Sequence, residues 1–374
     1  LTAGYAFEHR FNDVFSFRQN FRYSHLSLDR RVVWTDEVNE DVTAITRVAR
    51  TWDDPLSQSV LDTQMLGKLR LAGAEHTVLF GVDWNDQRAK ANRYIGPAPG
   101  LDLLNPVYGV PIPTPTQPLA NYRQTIRQAG LYLQDQIKVD DHWIVTLGGR
   151  QGRVTSTTDN PLAGTHAQVR DNAFSGRAGL TYVADNGVAP YISYSESFLP
   201  SSGVDGDGNP FKPSRGKQVE VGVKYQPAGS RSLYTVAVFD LNKTNIVSFN
   251  PITNEQRQIG KQRARGIEFE AKGELARGLN LAASYTWLDM TVRNSGDPQE
   301  VGKIPMGVPK QTAALWLDYT LAEGLGVGGG VRYIGRRQND EHNTSSEPGG
   351  ALAVAVVHYE KGPWRLAPNA TNLF

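Results

Sequence analysis

Residues 263–275 read RARGIEFEAKGEL, and their alternation decides the fold. Ile267, Phe269, Ala271 and Leu275 fall on one face of an extended chain, and Glu268, Glu270, Lys272 and Glu274 on the other. Strand side chains alternate with period two, so this is an amphipathic strand. Residues 217–226, KQVEVGVKYQ, repeat the pattern, setting Val219, Val221, Val223 and Tyr225 against Gln218, Glu220, Lys224 and Gln226. Leu279, Leu281, Ala283, Tyr285 and Trp287 form another such stripe, as do Leu315, Leu317 and Tyr319. A chain made of such strands implies an all-β, antiparallel sheet closed on itself.

Composition alone would suit a soluble protein: 39% hydrophobic residues, a net charge of +1 and a mean hydropathy of -0.42. No run approaches the roughly 18 apolar residues of a membrane-spanning helix. A transmembrane β-barrel gives the same result, because only every second residue meets lipid and the lumen can be polar. Near-zero net charge speaks against nucleic acid as a partner. The absence of cysteine excludes disulfides and thiolate metal sites.

The connections strengthen the barrel reading. Short turns fall at Asn12-Asp13, 72–75, Asp140-Asp141, 185–187, 228–230, Arg277-Gly278, Glu323-Gly324 and Gly362-Pro363, with residue types that tolerate turn geometry. Between them lie long polar segments at 35–58, 95–122, 154–171, 200–216, 250–262, 291–309 and 337–349. Tight turns at one end and long loops at the other match the asymmetry of outer-membrane barrels, and the turns count out about sixteen strands, the first at 1–11. No blade-length repeat supports a propeller. Tyr182, Tyr225, Tyr285, Trp287, Tyr319 and Tyr359 lie near strand ends, as interfacial girdles require. A soluble β-sandwich would also bury an apolar face. The opposite face here carries Arg18, Arg22, Arg177, Glu268, Glu270 and Lys272, which implies a wide wet interior.

Several stretches carry a family resemblance. YAFEHRFND at the start, RQNFRY, GVDW at 81–84, GLYLQDQ at 130–136, TLGGR at 146–150 and PYISYSESFLPSSG at 190–203 occur in order. GKQVEVGVKY, KTNI at 243–246, RARGIEFEAKGEL, SYTWLDM at 284–290 and LAPNATNLF follow. Together they resemble TonB-dependent siderophore receptors, most closely the ferric hydroxamate, ferrichrome-type group. The resemblance implies that residues 1–374 are part of a 22-stranded barrel that encloses a plug domain. It further implies a monomeric protein of the Gram-negative outer membrane, set in outer-membrane lipid. Its partners would be a ferric siderophore and the TonB complex, and uptake would be energised through TonB. The plug, the first strands and the closing strand are expected outside this sequence. Pro368 stands where the family has an aliphatic residue and puts the pairing of the last strand in question.

A ferric siderophore brings its iron fully coordinated, so the protein needs no cofactor and no metal ligand, only aromatic walls and a few donors. The resemblance assigns substrate binding to Trp34, and to Tyr94 and Ile95, where Ile95 replaces an aromatic. Tyr108 and Trp84 are further candidates by position; for each aromatic the alternative is a girdle or loop-packing role. The stretch from Pro97 to Pro118 carries seven prolines, a stiff loop or an ordered lid. Asp205, Asp207 and Asn209 have calcium-loop spacing, but Pro210 and Gly216 break the pattern. The seven histidines never reach metal-ligand spacing, and neither HExxH nor GxSxG occurs, so no enzyme is indicated. GGGVRYIG at 328–335 is a glycine-rich strand rather than a phosphate loop. Arg18, Arg22, Arg150, Arg177 and Arg265 are read as lumenal. A passive porin-like channel and a structural or phage-binding surface barrel are the alternative functions.

Overall fold

The computed structural model describes residues 1–201, 211–250, 255–321 and 324–373. In chain order the strands are β1 (Thr2–Arg10), β2 (Phe15–Leu26), β3 (Asp29–Val38), β4 (Ala44–Asp53), β5 (Leu56–Leu71), β6 (Ala74–Asp102) and β7 (Gln117–Val139). Next come β8 (Trp143–Asn160), β9 (Thr165–Tyr182), β10 (Val188–Leu199), β11 (Ser214–Tyr225), β12 (Leu233–Asn250), β13 (Glu255–Ala276) and β14 (Leu279–Asn294). The last are β15 (Gln311–Thr320), β16 (Leu325–Ile334), β17 (Arg337–Gln338), β18 (Ser346–Glu347), β19 (Gly350–Lys361), β20 (Trp364–Leu366) and β21 (Asn369–Thr371). Among the described residues nineteen of these form one antiparallel sheet, and β17 and β18 pair separately. Taking β3 with β2, β4 with β5 and β21 with β20 leaves sixteen spans, the number that the turns indicate. Among the described residues the sheet is open, with β1 paired only to β2 and β20–β21 only to β19.

The sheet has no conventional core. Among the described residues no large side chain is fully buried, and the buried apolar positions are mostly alanines. Phe80, Val82, Leu131, Leu133, Val219, Val221, Val236 and Val238 instead stand exposed on the outer face. A soluble protein could not keep so continuous an apolar band in water; hydrocarbon is its solvent. In lipid every backbone group must be paired, and the unbroken ladders provide that. Aromatics rim the short-turn end: Trp143 packs on Tyr182 at 4.9 Å, and Tyr225 stacks on Tyr234 at 6.1 Å.

The long polar segments are loops in part only. In 35–58, β3 and β4 continue as a paired hairpin whose tip is 39–43. In 154–171, β8 and β9 stay paired up to the turn at 161–164, and β6 runs into the proline-rich stretch as far as Asp102. Above the membrane both strand faces meet water, so the apolar alternation disappears while the backbone ladder persists. The calcium-like spacing at 205–209, with Pro210, lies outside the described residues.

Arg265 is not lumenal. It shares the outward face of β13 with Ile267 and Phe269, and together with Arg263 it pairs with Asp240 of β12. Period two places it there: the stripe that carries Ile267 carries every odd position of β13 near it. Pro368 interrupts the last strand, but the register is unbroken across it: Val356 faces Asn369, Tyr359 faces Leu366, and the Val357 amide donates to the Pro368 carbonyl at 3.2 Å.

On the lumenal face, long polar side chains lie flat across glycines of the neighbouring strand. The Tyr132 ring covers Gly81, and its hydroxyl donates to Asp62 at 2.6 Å. Arg150 crosses Gly130 and donates to both oxygens of Asp83, at 2.8 and 2.6 Å. Tyr191 covers Gly222 and donates to Glu220, and His358 covers Gly326 beside Asp318. A Cβ at any of these glycines would push the overlying group into the lumen, so the glycines keep the wall thin and the interior wide.

Candidate functional site: a lumenal wall of stacked indoles and guanidiniums

Where β6 leaves β5 it pairs with β4, and β4 pairs with β3. On β6 the lumenal positions run through Gly81, Asp83 and Asn85 to Arg93 and Ile95. Register then places Trp52 opposite Arg93 and Arg50 opposite Ile95. On β3, Arg30 lies opposite Trp52, Val32 opposite Arg50 and Trp34 opposite Val48. One face of this three-stranded extension therefore presents Arg30, Trp34, Arg50, Trp52, Arg93 and Ile95 toward the space enclosed by the sheet.

These side chains are stacked in layers. Trp34 and Trp52 meet edge to face at 5.7 Å. The Arg50 guanidinium lies 4.6 Å from the Trp34 ring centre, and Arg30 and Arg93 lie 4.7 and 5.1 Å from the Trp52 ring. Stacking of this kind is attractive and leaves the N–H edges of the guanidinium free to bind. Arg93 is neutralised by Asp54, to which it donates at 3.0 and 2.7 Å. Arg50 Nε and Trp52 Nε1 are buried and have no partner. These two atoms are shut off from the lumen, so a ligand would meet the wall at the outer N–H groups of the arginines and at the indole surfaces.

Trp34 and Ile95 both belong to this wall, with Arg50 between them. Tyr94 does not: it lies opposite Thr51 on the reverse face. There Ile112–Pro115 of the proline-rich stretch lie over residues 31–33 of β3 and 49–51 of β4, leaving an open cleft of about 220 Å³. Trp84 sits on the outward apolar stripe with Phe80 and Val82, and Tyr108 is 76% exposed in the segment that follows β6. Sequence reasoning missed Arg30, Arg50, Trp52 and Arg93. Arg50-x-Trp52 and Arg30-x-x-x-Trp34 each show the spacing of one strand face, but 35–58 reads as loop, so their register was hidden.

A second ordered feature lies among the long connections. Asp297 accepts from His342 at 2.8 Å, and Asn343 bridges to both backbone groups of Ile304, clasping 291–309 to 337–349. Asp340 accepts from the amides and hydroxyls of Thr344 and Ser345, which holds its carboxyl down to about 2. Asp297 is also lowered, first by the Gln299 amide and then by His342. No cluster of His, Asp and Glu able to hold a metal occurs among the described residues.

A family model, the β-barrel of TonB dependent receptor-like proteins, matches residues 1–373. The ferrioxamine B receptor of Salmonella typhimurium is 38% identical over 363 residues, covering 96% of this chain and 51% of that protein. The ferrichrome outer membrane transporter/phage receptor of Escherichia coli K12 is 37% identical over 388 residues, again covering 96% and 51%. Among solved structures, the closed form of a ferric-catecholate import receptor from E. coli K12 superposes with a TM-score of 0.84 at 22% identity. It covers all of this chain and 59% of that one. The chain spans about half the length of the curated relatives it matches.

Proposed function

This chain belongs to the TonB-dependent receptor family, as part of its outer-membrane β-barrel, and from that premise we propose that the whole protein takes up ferric siderophores of the hydroxamate type. The observation that carries the reading is the lumenal wall of Trp34, Arg50, Trp52 and Ile95, with Arg30 and Arg50 stacked on its indoles. A ferric hydroxamate presents oxygens around an already saturated iron, so recognition needs donors and apolar contact rather than metal ligands. The outer guanidinium N–H groups of Arg30 and Arg50 supply donors, and the indole edge of Trp34 and the Ile95 side chain supply apolar surface. Relatives named for ferrioxamine B and ferrichrome, at 38% and 37% identity, support the hydroxamate class.

In this reading the barrel serves as the outer wall of a gated path, and TonB supplies the energy. The test is iron uptake by a receptor-null strain that expresses the whole receptor, fed ferrichrome or a linear ferric trihydroxamate, with and without a proton-gradient uncoupler. Uptake that the uncoupler abolishes is expected. Uptake indifferent to the uncoupler would indicate a passive channel. No uptake of either, with the protein present in the outer membrane, would remove the hydroxamate assignment.

A further inference from the structure

Several other lumenal arginines are spent internally, although Arg22 on β2 and Arg332 on β16 have no polar partner among the described residues. Arg18 pairs with Glu8, Arg150 with Asp83, and Arg177 reaches Gln134. In the stacked wall, Arg93 pairs with Asp54. Within the wall, Arg30 and Arg50 have no carboxylate partner: their only polar or ring interactions among the described residues are with the indoles of Trp52 and Trp34. The nearby lumenal positions of β5, β6 and β7 are neutral: Gln58, Asn85, Gln87, Gln124 and Gln128, with Gln58 bonded to Asn85 and Gln124 to Thr158. No carboxylate at those positions offsets the two free guanidiniums.

Resting on the hydroxamate reading above, we infer that Arg30 and Arg50 make this site selective for charge. It prefers ferric complexes that carry a carboxylate or net negative charge, and it discriminates against those that carry an ammonium group. Stacking holds the guanidinium planes while leaving their outer N–H groups free for an incoming carboxylate. An ammonium entering the same space meets like charges with no compensating acceptor, which is selection by repulsion as well as attraction. Arg30 is exposed and Arg50 half-buried, so water and salt screen part of the effect.

The test uses the full-length receptor in detergent and three ferric linear trihydroxamates that differ only at one terminus: a free ammonium, an acetamide and a succinamate. Affinity is expected to rise in that order, with about a tenfold span between the ends at low ionic strength. The span should narrow as salt is raised. Arg30→Gln and Arg50→Gln should each compress it, whereas Lys217→Gln, on the outer face beside Glu196, should leave it intact. Equal affinity for the three, or preference for the ammonium form, overturns charge selectivity while leaving the hydroxamate reading in place. Binding of none of them removes that reading and the selectivity with it. Should a variant fail to assemble, the salt dependence of the unaltered receptor decides the matter alone: a span that does not change with salt overturns the proposal.

Discussion

Arg150 and Asp83 are joined by two hydrogen bonds, 2.8 and 2.6 Å long, across the intervening strand that carries Gly130. Each is less than a third exposed. Losing one partner leaves the other charge half-buried in the lumen wall. Asp83→Ala is expected to lower the stability of the assembled barrel by about 1–2 kcal/mol. Gly130→Ala should have a similar effect, because the added methyl would occupy the path of the guanidinium. The two changes act on one interaction, so the double variant should be no less stable than the worse single one. Denaturation midpoints of the folded, heat-modifiable band on gels measure all three; simple additivity would show that Gly130 is not there to pass Arg150.

The opposite orientations of Trp34 and Tyr94 separate their roles. Trp34→Ala in the whole receptor is expected to weaken ferric hydroxamate binding by roughly tenfold, the usual scale for a central aromatic contact. Tyr94→Ala should weaken it less, because that ring lies on the face covered by Ile112–Pro115. Its effect should appear as greater protease sensitivity of the segment 103–116. Titration by intrinsic fluorescence together with limited proteolysis tests both. Loss of affinity from Tyr94→Ala equal to that from Trp34→Ala would contradict the assignment.

Strand alternation within the membrane band was legible because lipid demands an apolar residue at every second position, and RARGIEFEAKGEL and KQVEVGVKYQ show it plainly. The short turns were legible too, since Gly187 and Gly278 adopt left-handed backbone angles, φ 84° and 78°, that few other residues tolerate. The site was legible only in fragments. Trp34 and Ile95 were named as candidates through family resemblance, but their neighbours Arg50 and Trp52 belong to a stretch where both faces are wet and no periodicity survives. Cross-strand register, which brings Arg50 between Trp34 and Ile95, depends on the tip at 39–43 and on the break at Asp54-Pro55. Neither leaves a hydrophobic pattern in the sequence.

The clasp between 291–309 and 337–349 should depend on acid in a definite direction. Asp340 has its carboxyl lowered from 3.8 to about 2, and Asp297 is lowered as well. A group depressed in the folded state contributes stability above its unfolded value and loses it as pH falls through the folded one. The contribution of the two carboxylates should therefore be fully present above about pH 4 and be lost between about pH 4 and 2. The protection of the Thr344 and Ser345 amides, which donate to Asp340, measured against an unfolded chain at the same pH, should fall over that window. Asp340→Asn should show faster exchange at neutral pH and lose most of the acid dependence. Protection that instead rises on acidification would give the opposite linkage.

Pro368 offers a test of how much one missing ladder bond matters at the last strand pair. Val357 and Pro368 face each other in an unbroken register, and the Val357 amide already donates to the Pro368 carbonyl. The return bond, from residue 368 to the Val357 carbonyl, cannot form because proline has no N–H. Pro368→Val would supply that donor at a position whose partner strand is already aligned. One added backbone hydrogen bond contributes about 0.5–1.5 kcal/mol, part of which is offset by the greater freedom of the unfolded chain once proline is gone. The net expectation is a small gain in stability and a clear slowing of amide exchange at residues 366–371, where β20 and β21 would merge into one strand. Unchanged exchange across those residues would mean that the pair is held by its neighbours in the sheet, and that the proline interrupts the ladder without weakening it.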